Sequence, residues 1–204
     1  MIGRTDLAVE YTDRKTHKVQ KKGGCTLTKL THQGETYVTL EVPAFSDHPG
    51  SDDLEEQTAR ELRELLPEKG PVLVVGVGNR AITADALGPF MAERVLATRH
   101  IRGELARVAG LEHLRPVAVL APGVLGCTGM ESGEIVRAVV QEIQPAAVIA
   151  VDALASKSLE RLGCTVQLST AGLSPGQGVG NRRPEITRRT LRVPVISMGI
   201  PTVV

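Results

Sequence analysis

"VLVVGVGNRAITADALGP", residues 72 to 89, decides the fold of this chain. It opens with an apolar run that lacks polar alternation, the pattern of a strand covered on both faces in a parallel sheet. Gly76 and Gly78 then permit a tight exit from that strand. Asp85 is left among small and apolar residues. Its carboxylate has two readings, a side chain that holds the turn together or an acid that needs a catalytic partner.

Working outward, strands of the same kind are predicted at "PVAVLAPG" (116–123), "AAVIAVDAL" (146–154), "TVQLST" (165–170) and "VPVISMGIP" (193–201). Helical periodicity lies between them at 87–101 and 131–144, with a shorter pattern at 153–162. Before the first strand, "DLEEQTARELRELL" (53–66) places Leu54, Ala59, Leu62, Leu65 and Leu66 on one face, the mark of an amphipathic helix. Strands alternating with helices at this pitch predict an α/β fold of three layers, a mostly parallel central sheet with helices on both faces. Sites in such folds gather at the carboxyl ends of strands.

Residues 1–50 read as a small β-rich N-terminal segment, with "DLAVEY", "CTLTKL" and "TYVTLEVPAF" as short strands and "RKTHKVQKKGG" as a polar turn. Residues 51–204 are then expected to form the α/β domain that would carry any catalytic site. The whole has 204 residues, with 42% hydrophobic and 23% charged, enough for a substantial core. That core must be aliphatic, because the chain has no Trp, two Tyr and two Phe. A net charge of +1 with so few aromatics argues against nucleic-acid binding, and no apolar stretch approaches the roughly 20 residues that span a bilayer. No signal-peptide pattern opens the chain, so a cytoplasmic location is expected.

Neither a metal nor a cofactor is expected. Three widely spaced cysteines and five histidines form no ligand motif. Gly76, Gly78 and Ala81 satisfy a dinucleotide-binding G-x-G-x-x-A, but the following helix is delayed past Asp85. The glycines at 172, 176, 178 and 180 lack the Lys-Ser/Thr that would make a phosphate loop. Cys127 would need His100 or His113 as a base, and no local signature joins them. The arginines at 182, 183, 188, 189 and 192 read as a solvated basic face or a contact for an acidic partner. Asp152 closes the apolar run "VIAVD" and emerges at the strand end where burial raises a carboxyl pKa. Paired with Asp85, it could share one proton and polarise water; alternatively it is a helix N-cap.

The pieces "RTDLAVE" (4–10), "YVTLE" (37–41), "VVGVGN" (74–79), "TADALGP" (83–89), "RPVAVLAPGVLGCTGMES" (115–132), "VIAVDALASKSLERL" (148–162), "QLSTAGLSPGQGVGNRR" (167–183) and "LRVPVISMGIPTVV" (191–204) occur together. In that order they resemble the germination protease family, spore endopeptidases that degrade small acid-soluble spore proteins. The resemblance implies a homotetrameric, self-processing enzyme of atypical aspartic type, acting in the spore core or forespore. It places the implicated aspartates at Asp85 and Asp152. Loops holding Gly123, Thr128, Gly129 and Glu131, and Gly176, Gly178 and Asn181, are expected to frame the substrate. Alternatives are a metal-dependent peptidase of the hydrogenase-maturation type and an inactive paralogue that only binds spore proteins. Family members carry a propeptide ahead of "RTDLAVE" and continue past "GIPTVV"; here Met1 to Gly3 precede Arg4 and Val204 is last, so a fragment or a short variant without the family's C-terminal extension is expected.

Overall fold

Every residue of β4 (Val72–Gly76) is buried, as its unbroken apolar sequence demands. It lies between two parallel neighbours, β5 (Val117–Leu120) and β6 (Ala147–Ala155). The computed structural model describes residues 5–43, 51–174 and 184–204. On the far side of β6 runs β8 (Val195–Val203), again parallel. From β8 outward the sheet turns antiparallel, through β7 (Thr165–Ser169), β3 (Glu35–Glu41), β2 (Cys25–His32) and β1 (Lys18–Lys22). One eight-stranded sheet results, in the order β1-β2-β3-β7-β8-β6-β4-β5.

The α/β class is therefore correct, but the sheet is mixed rather than mostly parallel: β5, β4, β6 and β8 form the parallel part, and the N-terminal strands and β7 extend it by antiparallel pairing. The N-terminal β segment is hydrogen-bonded into the same sheet across β3 and β7. The expected boundary at residue 50 lies outside the described residues.

Several local readings change. "DLAVEY" is no strand; its residues Ala8–Glu10 make a 3-10 turn. The supposed polar turn at 14–24 contains β1, whose lysines suit an edge strand exposed to water. The helix predicted over 87–101 stops at Arg94 (α2, Leu87–Arg94), and Gly103–Val108 form a separate short α3. A further short helix, α4 (Leu125–Thr128), precedes α5 (Ser132–Ile143). The helix expected at 153–162 is displaced because β6 runs on to Ala155, and only Leu159–Arg161 turn as a 3-10 segment. Pairing with β8 overrides the helical spacing there.

Helices cover both faces. On one, α1 (Ser51–Leu65) sends Leu54, Leu62 and Leu65 against Leu27, Val38, Leu40 and Leu168 of the antiparallel half. Leu62 and neighbouring Leu66 also reach Val72, Val74, Ile149 and Val151, so α1 bridges the two halves. α2 adds Leu87 and Met91 on the same side. On the other face α5 packs Val136 and Val140 against Leu73, Val75, Val148 and Val195, joined by Leu191 of α6 (Arg188–Leu191). Glu61 of α1 is buried and forms an ion pair with Lys29 of β2.

Leu73 is almost wholly enclosed in this second core. Leu73→Ala is expected to lower unfolding free energy by about 2–5 kcal/mol. Val19, 58% exposed on the edge strand, should change it by less than about 0.5 kcal/mol when truncated to Ala. Chemical denaturation of the two variants makes the comparison.

Candidate active site

The turn after β4 is built by close backbone approach. A Cβ on Gly76 would collide with the carbonyl of Gly88, and one on Gly88 would meet the backbone of Val77 and Val151. α2 can therefore start directly against the strand end. Gly78 sits at φ +123°, a conformation that disfavours side chains, and a Cβ there would strike the Asp85 carbonyl. Asp85 ends the 3-10 turn Thr83–Asp85. Its Oδ2 accepts a hydrogen bond from Asn79 N–H (2.7 Å), and Thr202 of β8 donates to Ala84 O (2.6 Å). Asp85 thus does hold the turn, and the turn in consequence aims it.

Asp152 reaches the same place from β6. The register pairs Gly76 with Val151, so Asp152 is the first residue of β6 beyond the carboxyl end of β4. Gly199 of β8 lies beside it. Its Oδ1 accepts from Ala153 N–H (2.9 Å). Neither aspartate caps a helix of the kind first predicted after it.

Both carboxylates line one cavity of about 600 Å³. Its walls include Asp6, Tyr11, Tyr37, Gln167, Ser169 and Ser197, and among the described residues no Lys, Arg or His lines it. Burial pushes the Asp152 carboxyl up to about 7; the Ala153 N–H opposes this, and the negative charges of Asp85 and Asp6 add to it. Burial, with Tyr37 and the charge of Asp6 adding to it, also raises the Tyr11 hydroxyl. The sequence reading missed Asp6, Tyr11, Tyr37 and Gln167. Asp6 stood in a quoted motif, but nothing local to it signals contact with the strand of Asp152.

The other predicted residues lie elsewhere or outside view. Gly123, Thr128, Gly129 and Glu131 surround α4 and the start of α5 and do not line this cavity. Gly129 takes a left-handed conformation to end α4, and Glu131 with Glu134 forms a capping box on α5. Thr128 Oγ1 bonds within its own turn, to Val124 O and Met130 O. Gly176, Gly178 and Asn181 lie outside the described residues. Cys127 is exposed on α4, away from the aspartates' cavity. Among the described residues no group of three or more His, Cys, Asp or Glu could hold a metal ion. No helix among them is long and apolar enough to cross a membrane.

The fold is thus that of an α/β protein with a partly parallel sheet and a cavity at a strand end lined by two aspartates. The germination protease family model, Peptidase_A25, matches residues 6–204, and the chain belongs to that family. It is 44% identical over 172 residues to the germination protease of Clostridium perfringens, covering 82% of this chain and 53% of that protein. With the germination protease of Caldanaerobacter subterraneus it shares 42% identity over 226 residues, 98% of this chain and 69% of the relative. The chain thus spans about half the length of the first of these. A solved NiFe hydrogenase maturation protease, HycI from Thermococcus kodakarensis, overlays with a TM-score of 0.46 at 17% identity, covering 69% of this chain and 80% of that one.

The raised Asp152 carboxyl has a stability consequence. An Asp that titrates near 3.8 when unfolded and near 7 when folded favours the native state below pH 3.8, and that contribution is lost as pH rises toward 7. Asp152→Asn removes the dependence. Above pH 7 the variant is expected to be more stable than the parent, by at most about 4 kcal/mol, and the gap should close near pH 4. Urea unfolding at both pH values measures it.

Proposed function

We propose that this chain is an endopeptidase that begins the degradation of small acid-soluble spore proteins during germination, with Asp85 and Asp152 as its catalytic pair. Family membership supports the reaction class. The observation that carries the assignment is the convergence of these two carboxylates in one cavity, one of them half-protonated near neutral pH. Two carboxyls that feel each other's charge titrate as a coupled pair and hold one proton between them over a range of pH. Asp85, whose Oδ2 accepts from Asn79 N–H, is the base that draws a proton from water. Asp152, kept protonated by burial, is the acid that protonates the carbonyl oxygen or the departing nitrogen.

The walls supply complementary contacts for a peptide. Gln167, Ser169, Ser197 and Thr202 offer polar groups, and Tyr11 and Tyr37 offer amphipathic surface. By family likeness the enzyme acts in the spore core as a homotetramer.

Asp85→Asn and Asp152→Asn should fold yet lose about 10²- to 10⁴-fold in cleavage of a recombinant small acid-soluble spore protein. Retained turnover in both variants removes the pair from the mechanism. Wild-type activity should fall as pH rises through about 7, because Asp152 then loses the proton it must donate. Activity should survive a chelator; its loss would favour the metal-dependent reading, and binding of the spore protein without any turnover would favour a non-catalytic binder.

A further inference from the structure

β8 does not keep one register along β6. Leu154 pairs with Pro201 but Ala155 pairs with Val203, so Thr202 is an extra residue on β8 with no partner opposite it. A bulge of this kind is uncommon between parallel strands, and it bends the strand and re-aims a side chain. The side chain re-aimed here lines the cavity of the two aspartates, and its Oγ1 donates to Ala84 O at 2.6 Å. Ala84 is the residue before Asp85 in the 3-10 turn Thr83–Asp85.

The other hydrogen bonds of that turn close on the loop itself. Asn79 N–H donates to Asp85 Oδ2, Ile82 N–H to Asn79 O, and Asp85 N–H to Ile82 O. These bonds fix the shape of the loop. Among the described residues, the Thr202 bond is the hydrogen bond that joins the turn 79–86 to a neighbouring strand.

β8 also holds Asp152. The register sets Asp152 beside Gly199, and the strands approach so closely that a Cβ on Gly199 would strike the Asp152 carbonyl and the Leu154 side chain. Thr202 lies three residues further on, about 10 Å along the strand. One strand therefore holds both acids, Asp152 through backbone pairing and Asp85 through a hydroxyl.

Resting on the catalytic pair above, we propose that Thr202 is a positioning residue of this site: the bulge in β8 turns its hydroxyl onto the Ala84 carbonyl and so sets Asp85 at its working separation from Asp152. Thr202 acts through the turn that carries Asp85. Displacing a reacting group by about 1 Å can lower a rate on the order of 100-fold, so the bond matters to turnover well beyond its share in stability.

Thr202→Val keeps the size and branching of the side chain and removes the donor. The expected result is a folded variant whose kcat on a recombinant small acid-soluble spore protein falls about 10- to 100-fold while KM stays within about twofold. Thr202→Ser, which retains a hydroxyl, should recover most of kcat. In Thr202→Val the Asn79 amide should also exchange with solvent faster, while the β4 amides bonded to β5 and β6 keep the parent's protection. A general loosening of the fold would speed both. An unchanged kcat, or a rise in KM alone, overturns the proposal. So does an Asn79 amide that exchanges as in the parent, or a loss of protection that β4 shares. Should Thr202→Val not fold, the wild-type chain decides: a hydroxyl bonded to Ala84 O must exchange its proton slowly by NMR, and a freely exchanging Thr202 hydroxyl overturns the proposal equally. Because exchange needs no turnover, a parent chain that cleaves nothing would end the peptidase reading while leaving the hold of Thr202 on the Asp85 turn measurable.

Discussion

The structure depends on a close contact of main chain with main chain at the end of β4. Gly76 and Gly88 let α2 begin against the strand, and Gly78 lets the chain pass beneath the Asp85 carbonyl. No other residue type fits where a Cβ would overlap a backbone oxygen. This contact ends β4 early, while β6 and β8 continue beside it. A step is thereby cut into the sheet. Asp85 hangs over the step from the turn, and Asp152 emerges from its floor.

The step also creates unsatisfied backbone groups, and the way they are satisfied shapes the chemistry. In a flat sheet the next strand would take the N–H groups of Ala153 and Ala155; here carboxylates take them. Acidic side chains are therefore drawn to the edge by hydrogen bonding and kept there at an electrostatic cost, which burial sharpens at Asp152. Partial protonation relieves that cost. The raised Asp152 carboxyl is thus a result of its burial at this step in the sheet.

Two halves of the molecule cooperate in this. The parallel strands supply the step, and the antiparallel strands supply the opposite wall through Tyr37 of β3 and Gln167 and Ser169 of β7. α1 ties the halves together on the far face, with Leu62 shared between both clusters. The N-terminal segment, fastened by Gln167 and by the Glu10 carboxylate to Arg161 and Lys157 N–H, joins them on the near face.

Much of this was legible in the order of residues. Unbroken apolar runs such as Val72–Val75 can only be covered strands, and the leucine spacing of 54–66 can only be a helix with one buried face. Those patterns are local, and they announced the α/β class and the strand-end positions of Asp85 and Asp152. Whether Asp85 caps a turn or faces a partner was not legible, because both uses call for the same residue after the same glycines. Only the register of β6 against β4 and β8 set the two carboxylates in one cavity. It also turned the helical-looking stretch after Asp152 into strand, and brought Asp6, distant in sequence, to Ala155. Periodicity records which face of an element is buried, whereas pairing partners and burial of a charge arise from contacts between segments far apart in the chain, and these exist only once the sheet has formed.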